Sequence, residues 1–126
     1  MINILKRTLE QSYAPYSKVK VAAVVVTSEG KMFTGVNIEN ASFGATICAE
    51  RVAITKAISE GYKDLKEIHI LSNLGEKTMP CFICRQVLLE FFEKEDKVFV
   101  YDESGNFDEY RISDLCPYPF DKEDLK

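Results

Sequence analysis

Long apolar runs and an excess of basic residues are both missing from this 126-residue sequence. None of its apolar stretches reaches the ~18 residues that a membrane-spanning helix requires. Residues 1–13 mix apolar with charged side chains and lack the apolar core and cleavage site of a signal peptide. We therefore expect a cytoplasmic protein without a membrane partner. The length fits one domain, 1–126.

Acidic residues outnumber basic ones, and the net charge is −4. We expect no nucleic-acid partner, because proteins that bind DNA or RNA normally present a basic face. The charge places no restriction on a small neutral substrate.

Histidine is scarce as well, with one residue against four cysteines. In a cytosolic chain, paired cysteines more often bind a metal or act in catalysis than form a structural disulfide. His69 lies in the apolar stretch 67–71, which is typical of a strand, so we expect a packed residue rather than a ligand. A bound metal would then take its protein ligands mostly from cysteine.

Hydrophobic periodicity predicts the order α-β-β-α-β-α-β-β. This order indicates a three-layer α/β/α domain around a mixed five-stranded sheet. The last two strands should form an antiparallel hairpin, because the link 102–106 is too short for a parallel crossover. The predicted helices are 2–12, 47–60 and one opened by Pro80, and the predicted strands are 19–27, 32–39, 66–73, 98–101 and 107–112.

Polar side chains stand at the end of one face of the predicted strand 32–39. By the two-residue period, Phe33, Gly35, Asn37 and Glu39 share that face. Asn37 and Glu39 are unusual core residues. They are either a solvated strand end or a pair of hydrogen-bonding groups at the mouth of a pocket.

The chemistry concentrates at the predicted starts of two helices. Cys81 and Cys84 stand three residues apart and so share a helix face that can hold one ion. Spacing alone fits a redox dithiol, half of a structural zinc site or part of a catalytic site. Cys48 is the obvious third ligand, and three ligands leave a fourth position for water, as in catalytic zinc sites. Cys116 stays open as a fourth ligand, although a bystander thiol is commoner.

Glu50 favours the catalytic interpretation. A hydrolytic site needs a group that takes a proton from water and delivers it to the leaving group, whereas a structural site does not. The alternative role for Glu50 is that of a glutamate at a helix start, which interacts favourably with the helix dipole.

Three thiolates on Zn²⁺ sum to −1, so positive charge must lie nearby. We expect it from two helix N-termini and from Arg51, hydrogen-bonded to a thiolate. Gln86 could share that role. The plain alternatives are a surface charge for Arg51 and an exposed helical position for Gln86.

Cys-Ala-Glu at 48–50, followed by Pro-Cys-x-x-Cys-Arg-Gln at 80–86, resembles the zinc-dependent cytidine deaminases, specifically their small homotetrameric class. The resemblance covers nearly the whole chain. Further matches are residues 14–17, 35–41 and the tail 115–120.

The resemblance implies one zinc ion per subunit on Cys48, Cys81 and Cys84, and hydrolysis of cytidine and deoxycytidine to uridine and deoxyuridine plus ammonia. Glu50 would carry protons to ring N3 and to the leaving ammonia. The implied substrate contacts are the side chains of Asn37 and Glu39 on the ribose, the backbone of Ala49 on the base edge, and Phe120, Phe43 and the backbone of Ala41 reaching into a neighbouring subunit's site in a homotetramer.

Two positions depart from the family pattern. Val19 stands where the family usually has an aromatic residue stacked on the pyrimidine, so we expect weaker base binding or a different base. Phe82 stands where the family usually has glycine. Our hypothesis is that Phe82 packs toward the pocket and replaces some of the lost aromatic surface.

Other hypotheses stay open. Residues 33–37 are also similar to blasticidin-S deaminase, although Asn37 to Asn40 favours a ribose reader. A non-catalytic zinc-stabilised binding module is disfavoured by Glu50. A dithiol redox protein would oxidise Cys81 and Cys84 without metal. A polynucleotide deaminase is disfavoured by the acidic charge and the short link 102–106.

Overall fold

The computed structural model describes residues 1–125, in which five strands form one sheet. The strands are β1 (Val21–Thr27), β2 (Met32–Val36), β3 (Leu65–Ser72), β4 (Lys97–Tyr101) and β5 (Phe107–Arg111). The helices are α1 (Ile2–Leu9), α2 (Ala49–Ser59), α3 (Phe82–Phe91) and the short α4 (Ile112–Leu115), with 3-10 turns at Phe43–Ala45 and Lys122–Leu125.

The strands lie in the order β2-β1-β3-β4-β5. Strands β3 and β4 are parallel, and every other neighbouring pair is antiparallel. The parallel pair is joined through α3, as a parallel connection requires a crossover. The predicted mixed five-stranded sheet and its final antiparallel hairpin are therefore confirmed.

Helices cover both faces of the sheet. Successive side chains of a strand point to opposite faces, and the central β1 is apolar on both. Ala23 and Val25 pack in the cluster that contains Ile54 of α2 and Leu88 of α3. Ala22 and Val24 pack on the other side, in the cluster that contains Leu5 of α1. This arrangement places α2 and α3, which carry the candidate site, in the same layer.

Helix α2 lies unusually close to β2. Its buried residues include Ala49, Ala53 and Ala57, whose small side chains allow a close approach. A Cβ atom added to Gly35 would lie 2.5 Å from both the carbonyl oxygen of Ala49 and the amide nitrogen of Ala53. The backbones of strand and helix are thus in contact, and this contact positions the start of α2.

Replacing Gly35 with alanine is expected to lower the free energy of unfolding by about 1–3 kcal/mol, because rigid backbone atoms must move to admit the methyl group. Urea unfolding measures this change. Gly44→Ala is the matched control, since nothing lies within 4 Å of a Cβ added there. It should change stability by less than about 0.5 kcal/mol. Equal losses in the two variants would contradict the close contact.

Several predicted boundaries were wrong. The predicted helix 2–12 ends at Leu9, and the predicted strand from Val19 begins at Val21. Lys18 has a φ of 65°, so the chain bends before the strand. The second strand ends at Val36, and only an isolated bridge at Ile38 continues toward Glu39.

Pro80 does not open α3 as predicted, because Cys81 occupies the N-cap and the helix starts at Phe82. The sulfur of Cys81 accepts a hydrogen bond from the amide of Cys84 at 3.4 Å and thereby satisfies one free donor of the first turn.

His69 is the packed strand residue that the sequence predicts. Its ring is buried, with Nδ1 2.8 Å from the Tyr101 hydroxyl and Nε2 2.9 Å from a Glu67 carboxylate oxygen. Across residues 1–125, no helix combines the length and apolar character needed to cross a bilayer.

Candidate metal centre and active site

Three cysteines meet where two helices begin. Cys48 is the N-cap residue of α2, Cys81 is the N-cap residue of α3, and Cys84 lies in the first turn of α3. Their sulfur atoms all lie within 4.8 Å of one another. Both helix N-termini therefore direct their partial positive charge toward the three sulfurs, which favours negative charge there.

The geometry of this cysteine cluster fits a zinc ion. Zinc–thiolate bonds of about 2.3 Å in a tetrahedron place neighbouring sulfurs about 3.8 Å apart. The sulfurs of Cys48 and Cys81 are 3.7 Å apart. Thiolate ligands also favour zinc over magnesium or calcium. The donor set and its spacing therefore suit zinc with three protein ligands.

Cys116 is not part of the cluster. Its thiol instead donates to the carbonyl oxygen of Arg85, with a sulfur–oxygen distance of 3.7 Å. Within the described part of the chain, the sulfur donors available to a metal here are thus Cys48, Cys81 and Cys84. A tetrahedral ion on these ligands would keep one position for a water molecule.

The environment of the cluster favours a thiolate. A hydrogen bond from the Cys84 thiol, with a further one from Arg51, lowers the pKa of Cys48 to about 5. Sharing that proton with Cys48 raises the pKa of Cys84. At neutral pH the pair therefore carries a negative charge without metal, and binding of a divalent cation would displace the remaining proton.

Arg51 supplies positive charge to the cluster. Its Nη2 lies 3.5 Å from the sulfur of Cys48, and contact with that sulfur raises the pKa of the guanidinium. Its Nε atom is buried and has no hydrogen-bond partner within residues 1–125. Arg51 is therefore directed into the site and is not a free surface charge.

Gln86 does not share this position. Its amide donates to the carbonyl oxygen of Phe120 at 2.6 Å. The suggestion that Gln86 shares the role of Arg51 at a thiolate is therefore wrong, and Gln86 occupies the exposed helical position that was its alternative. The side chain connects α3 to the C-terminal tail, because the helix turns residue 86 away from the face that carries Cys81 and Cys84.

Glu50 stands beside the cluster and is only 4% exposed. Removal from water raises the pKa of its carboxyl to about 7, because burial disfavours the charged form. The positive charge of a metal in the cluster would act in the opposite direction. Glu50 is thus a desolvated carboxyl group that can both hold and release a proton near neutral pH.

A cavity of about 200 Å³ opens in front of the cluster. Cys48, Ala49, Glu50 and Cys81 form its metal side. Its other walls are Val21, Asn37, Thr46, Ile47, Ile70, Thr78 and Met79. The cavity thus brings two of the three predicted metal ligands, the carboxyl group and one predicted ribose contact into one space.

Asn37 is buried, and its side chain is largely occupied by the backbone. Its Oδ1 accepts from the amide of Val21 at 2.9 Å and also from the Ser12 hydroxyl, and its Nδ2 donates to the carbonyl of Val19 at 2.7 Å. One N–H of the amide is left for another acceptor.

Glu39 lies in an adjoining depression of about 290 Å³ that shares Thr46 with the first cavity. Its carboxylate accepts from the amides of Tyr16 and Ser17 at 2.9 Å and 3.1 Å and from the Ser17 hydroxyl. The hydrogen bond from the Ser17 side chain is the main reason that the pKa of Glu39 is lowered. The carboxylate is therefore ionised and oriented.

The two departures from the family pattern do not fill the pocket. Val21, two residues after Val19, lines the cavity, while Val19 contributes its carbonyl to Asn37. Phe82 is 75% exposed, and its ring lies 4.4 Å from the guanidinium carbon of Arg85. The hypothesis that Phe82 packs toward this pocket is therefore wrong.

The residues expected to serve a neighbouring subunit lie outside this cavity. Phe43 is 76% exposed and lines the depression that contains Glu39. Phe120 is 61% exposed in the tail, and Ala41 is exposed in the loop after β2. Within one chain, none of the three contacts the cysteine cluster.

Sequence reasoning missed Val21, Ile70, Thr78 and Met79 as cavity residues. Val21 and Ile70 have the apolar character of strand residues, so nothing in their type distinguishes them from core. The position of Thr78 and Met79 immediately before Pro80-Cys81 is the one feature of the sequence that associates them with the site.

Comparison with known proteins identifies the family. Residues 1–101 match the family described as the cytidine and deoxycytidylate deaminase zinc-binding region. The chain belongs to this family. The matched region contains Cys48, Cys81 and Cys84, and it confirms the predicted zinc cofactor.

Relatives in the cytidine deaminase family cover nearly the whole chain. The cytidine deaminase of Halalkalibacterium halodurans is 40% identical over 92% of this chain and 88% of that protein. The probable cytidine deaminase of Dictyostelium discoideum is 43% identical over 98% of this chain and 84% of that protein. The 1.6 Å crystal structure of cytidine deaminase from Burkholderia pseudomallei has a TM-score of 0.89 and 37% identity, covering 94% of this chain and 95% of that one.

Proposed function

We propose that this protein is a zinc-dependent aminohydrolase that converts cytidine and deoxycytidine to uridine and deoxyuridine with release of ammonia, as in pyrimidine salvage. The observation that carries the proposal is Glu50, a carboxyl group 4% exposed, which lines the same cavity as Cys48 and Cys81 of the cysteine cluster. The names of the relatives support the substrate class, since the similarity extends over nearly the full chain.

The chemistry divides between the metal and the protein. Zinc held by Cys48, Cys81 and Cys84 would act as a Lewis acid and lower the pKa of a water to about 7. Glu50 would accept one proton from the water that adds to C4 and pass it to ring N3, and would then take the proton of the new C4 hydroxyl and deliver it to the amino group, which leaves as ammonia. Its buried position keeps the proton from exchanging with bulk solvent during these transfers.

Polar groups at the cavity mouth suit a ribose. Asn37 has one N–H donor free, and the ionised Glu39 keeps acceptor capacity on Oε2, which within residues 1–125 accepts only from the Ser17 hydroxyl. A sugar hydroxyl can donate to the Glu39 carboxylate and accept from the Asn37 amide. Backbone groups of Ala49, at the start of α2, contact the edge of the base. Arg51, which contacts the sulfur of Cys48, offsets the negative charge of the thiolates.

The proposal includes a homotetramer with sites at subunit interfaces. Phe43 and Phe120 are large apolar side chains left exposed in the single chain, and contact with a second copy would bury them. With the backbone of Ala41, they would complete the neighbour's pocket. We expect the protein in the cytoplasm, where metal-binding thiols stay reduced.

An ultraviolet assay on protein of measured zinc content tests the proposal, with cytidine, deoxycytidine and blasticidin S as substrates. We expect turnover of both nucleosides, zinc near one ion per chain and a tetrameric mass by light scattering. Full zinc without nucleoside turnover would indicate a binding module. Turnover of blasticidin S alone would indicate the antibiotic deaminase. Oxidised Cys81 and Cys84 without bound metal would indicate a redox protein.

A further inference from the structure

The cavity in front of the cysteine cluster contains no aromatic side chain. Its lining, within residues 1–125, is aliphatic, polar or sulfur-containing, although a pyrimidine ring has two flat faces that need apolar cover. Val19 does not line it, and Phe82 faces solvent beside Arg85. Within one chain, the cover of the ring must therefore come from aliphatic or sulfur-containing side chains.

Met79 is the apolar side chain that the loop before α3 contributes to this cavity. The sheet contributes Val21 and Ile70 from neighbouring strands, on the face that also bears Ala23. Met79 comes from a separate element and remains 38% exposed, so its side chain has room to adjust to a ligand. A thioether is polarisable and packs favourably against aromatic rings.

The residues on either side of Met79 are both held by hydrogen bonds. The Thr78 hydroxyl lies 2.6 Å from the hydroxyl of Ser72 at the end of β3. The carbonyl of Pro80 accepts a hydrogen bond from Nε of Arg85 at 2.9 Å. Pro80 is buried and directly precedes Cys81. Met79 thus has a flexible side chain on an anchored backbone, at a position defined relative to a metal ligand.

We propose that Met79 packs against the pyrimidine ring of the bound nucleoside and takes the place of an aromatic residue in this pocket. The inference rests on the proposed function, because it names the contact that this site makes with its substrate. A contact present equally in the bound substrate and in the transition state strengthens binding and leaves the chemical step unchanged.

Steady-state kinetics of Met79→Ala test the proposal. We expect KM for cytidine to rise about tenfold and kcat to change by less than about twofold, which is the pattern of lost uniform binding. Met79→Leu keeps most of the apolar contact and should hold KM within about threefold of the unsubstituted protein. Met32→Ala is the control, since Met32 is an exposed residue of β2 outside the cavity.

A binding measurement separates this inference from the proposed function. In the Glu50→Gln background we expect turnover of cytidine to be negligible during a titration, so calorimetry can compare its affinity with and without Met79→Ala. The dissociation constant should rise by the same factor as KM. An inactive zinc-loaded parent protein would overturn the proposed function, whereas an active parent with unchanged KM in Met79→Ala would overturn the role of Met79 alone.

A second variant keeps the proposal testable if Met79→Ala loses its metal. Met79→Gln keeps the length of the side chain, but its amide loses hydrogen bonds to water when it is buried against the ring. We expect KM to rise at least as much as in Met79→Ala, with normal zinc content. A zinc-loaded Met79→Gln variant with unchanged KM would overturn the proposal, as would a variant whose only defect lies in kcat.

Discussion

Replacing Glu50 with glutamine is expected to lower kcat for cytidine by at least about 10³-fold while zinc content stays unchanged. Glutamine has nearly the same shape as glutamate but cannot accept and release a proton. The buried position matters here, because no bulk water is close enough to substitute for the missing carboxyl group. The loss should appear in kcat, since proton transfer takes place only after the substrate is bound.

Glu60→Gln provides the matched control for this substitution. Glu60 is the C-cap residue of the same helix and is exposed, so its replacement should leave kcat, KM and zinc content unchanged. Activity is measured by ultraviolet absorbance and zinc by atomic absorption. Substantial turnover by Glu50→Gln would refute the proton-transfer role. Loss of zinc in the same variant would mean that Glu50 supports the metal site instead.

Cys84→Ala is expected to abolish zinc binding and to reduce activity below detection. Cys84 is fully buried, and its removal leaves the sulfurs of Cys48 and Cys81 as the remaining cluster ligands. Two thiolates are too few for a protein zinc site, which uses three or four protein ligands. Because metal binding to the native state also stabilises it, the melting temperature should fall relative to the zinc-loaded protein.

Cys116→Ala is the matched control, which shows whether the loss of zinc is specific to the cysteines of the cluster. Cys116 is another free thiol and is partly buried, but its partner is the carbonyl of Arg85. This variant should keep its zinc and its kcat, with at most a modest loss of stability from the missing sulfur. A zinc loss in Cys116→Ala equal to that in Cys84→Ala would instead make Cys116 a ligand, against the geometry of the structure.

The spacing of the cysteines and Glu50 along the chain explains why the candidate metal site could be predicted from the sequence. Cys81 and Cys84 are three residues apart at a helix start, and this periodicity alone brings their side chains together. Cys48 opens the other helix, and Glu50 follows within its first turn. The sheet could also be predicted from the sequence, because apolar runs such as 21–27 and the short link 102–106 restrict the possible strand pairings.

Side-chain direction could not be anticipated in the same way. Gln86 and Phe82 lie in the first turns of α3 near Cys84, but their partners are the carbonyl of Phe120 and the guanidinium of Arg85. Where the tail crosses the helix depends on packing far along the chain. The wrong predictions for these two residues came from motif position, which says nothing about the element that packs on the remaining faces of the helix.

The sequence by itself was enough to predict the three clustered cysteines, the neighbouring carboxyl group and the order of the strands and main helices, because each depends on spacing over a few residues. The tertiary structure decided which side chains line the cavity in front of these residues. Val21 and Ile70 reach the cavity through the register of β1 against β3, and Met79 reaches it through an anchored loop. Such contacts join residues distant in sequence, and residue type alone does not distinguish them from ordinary core.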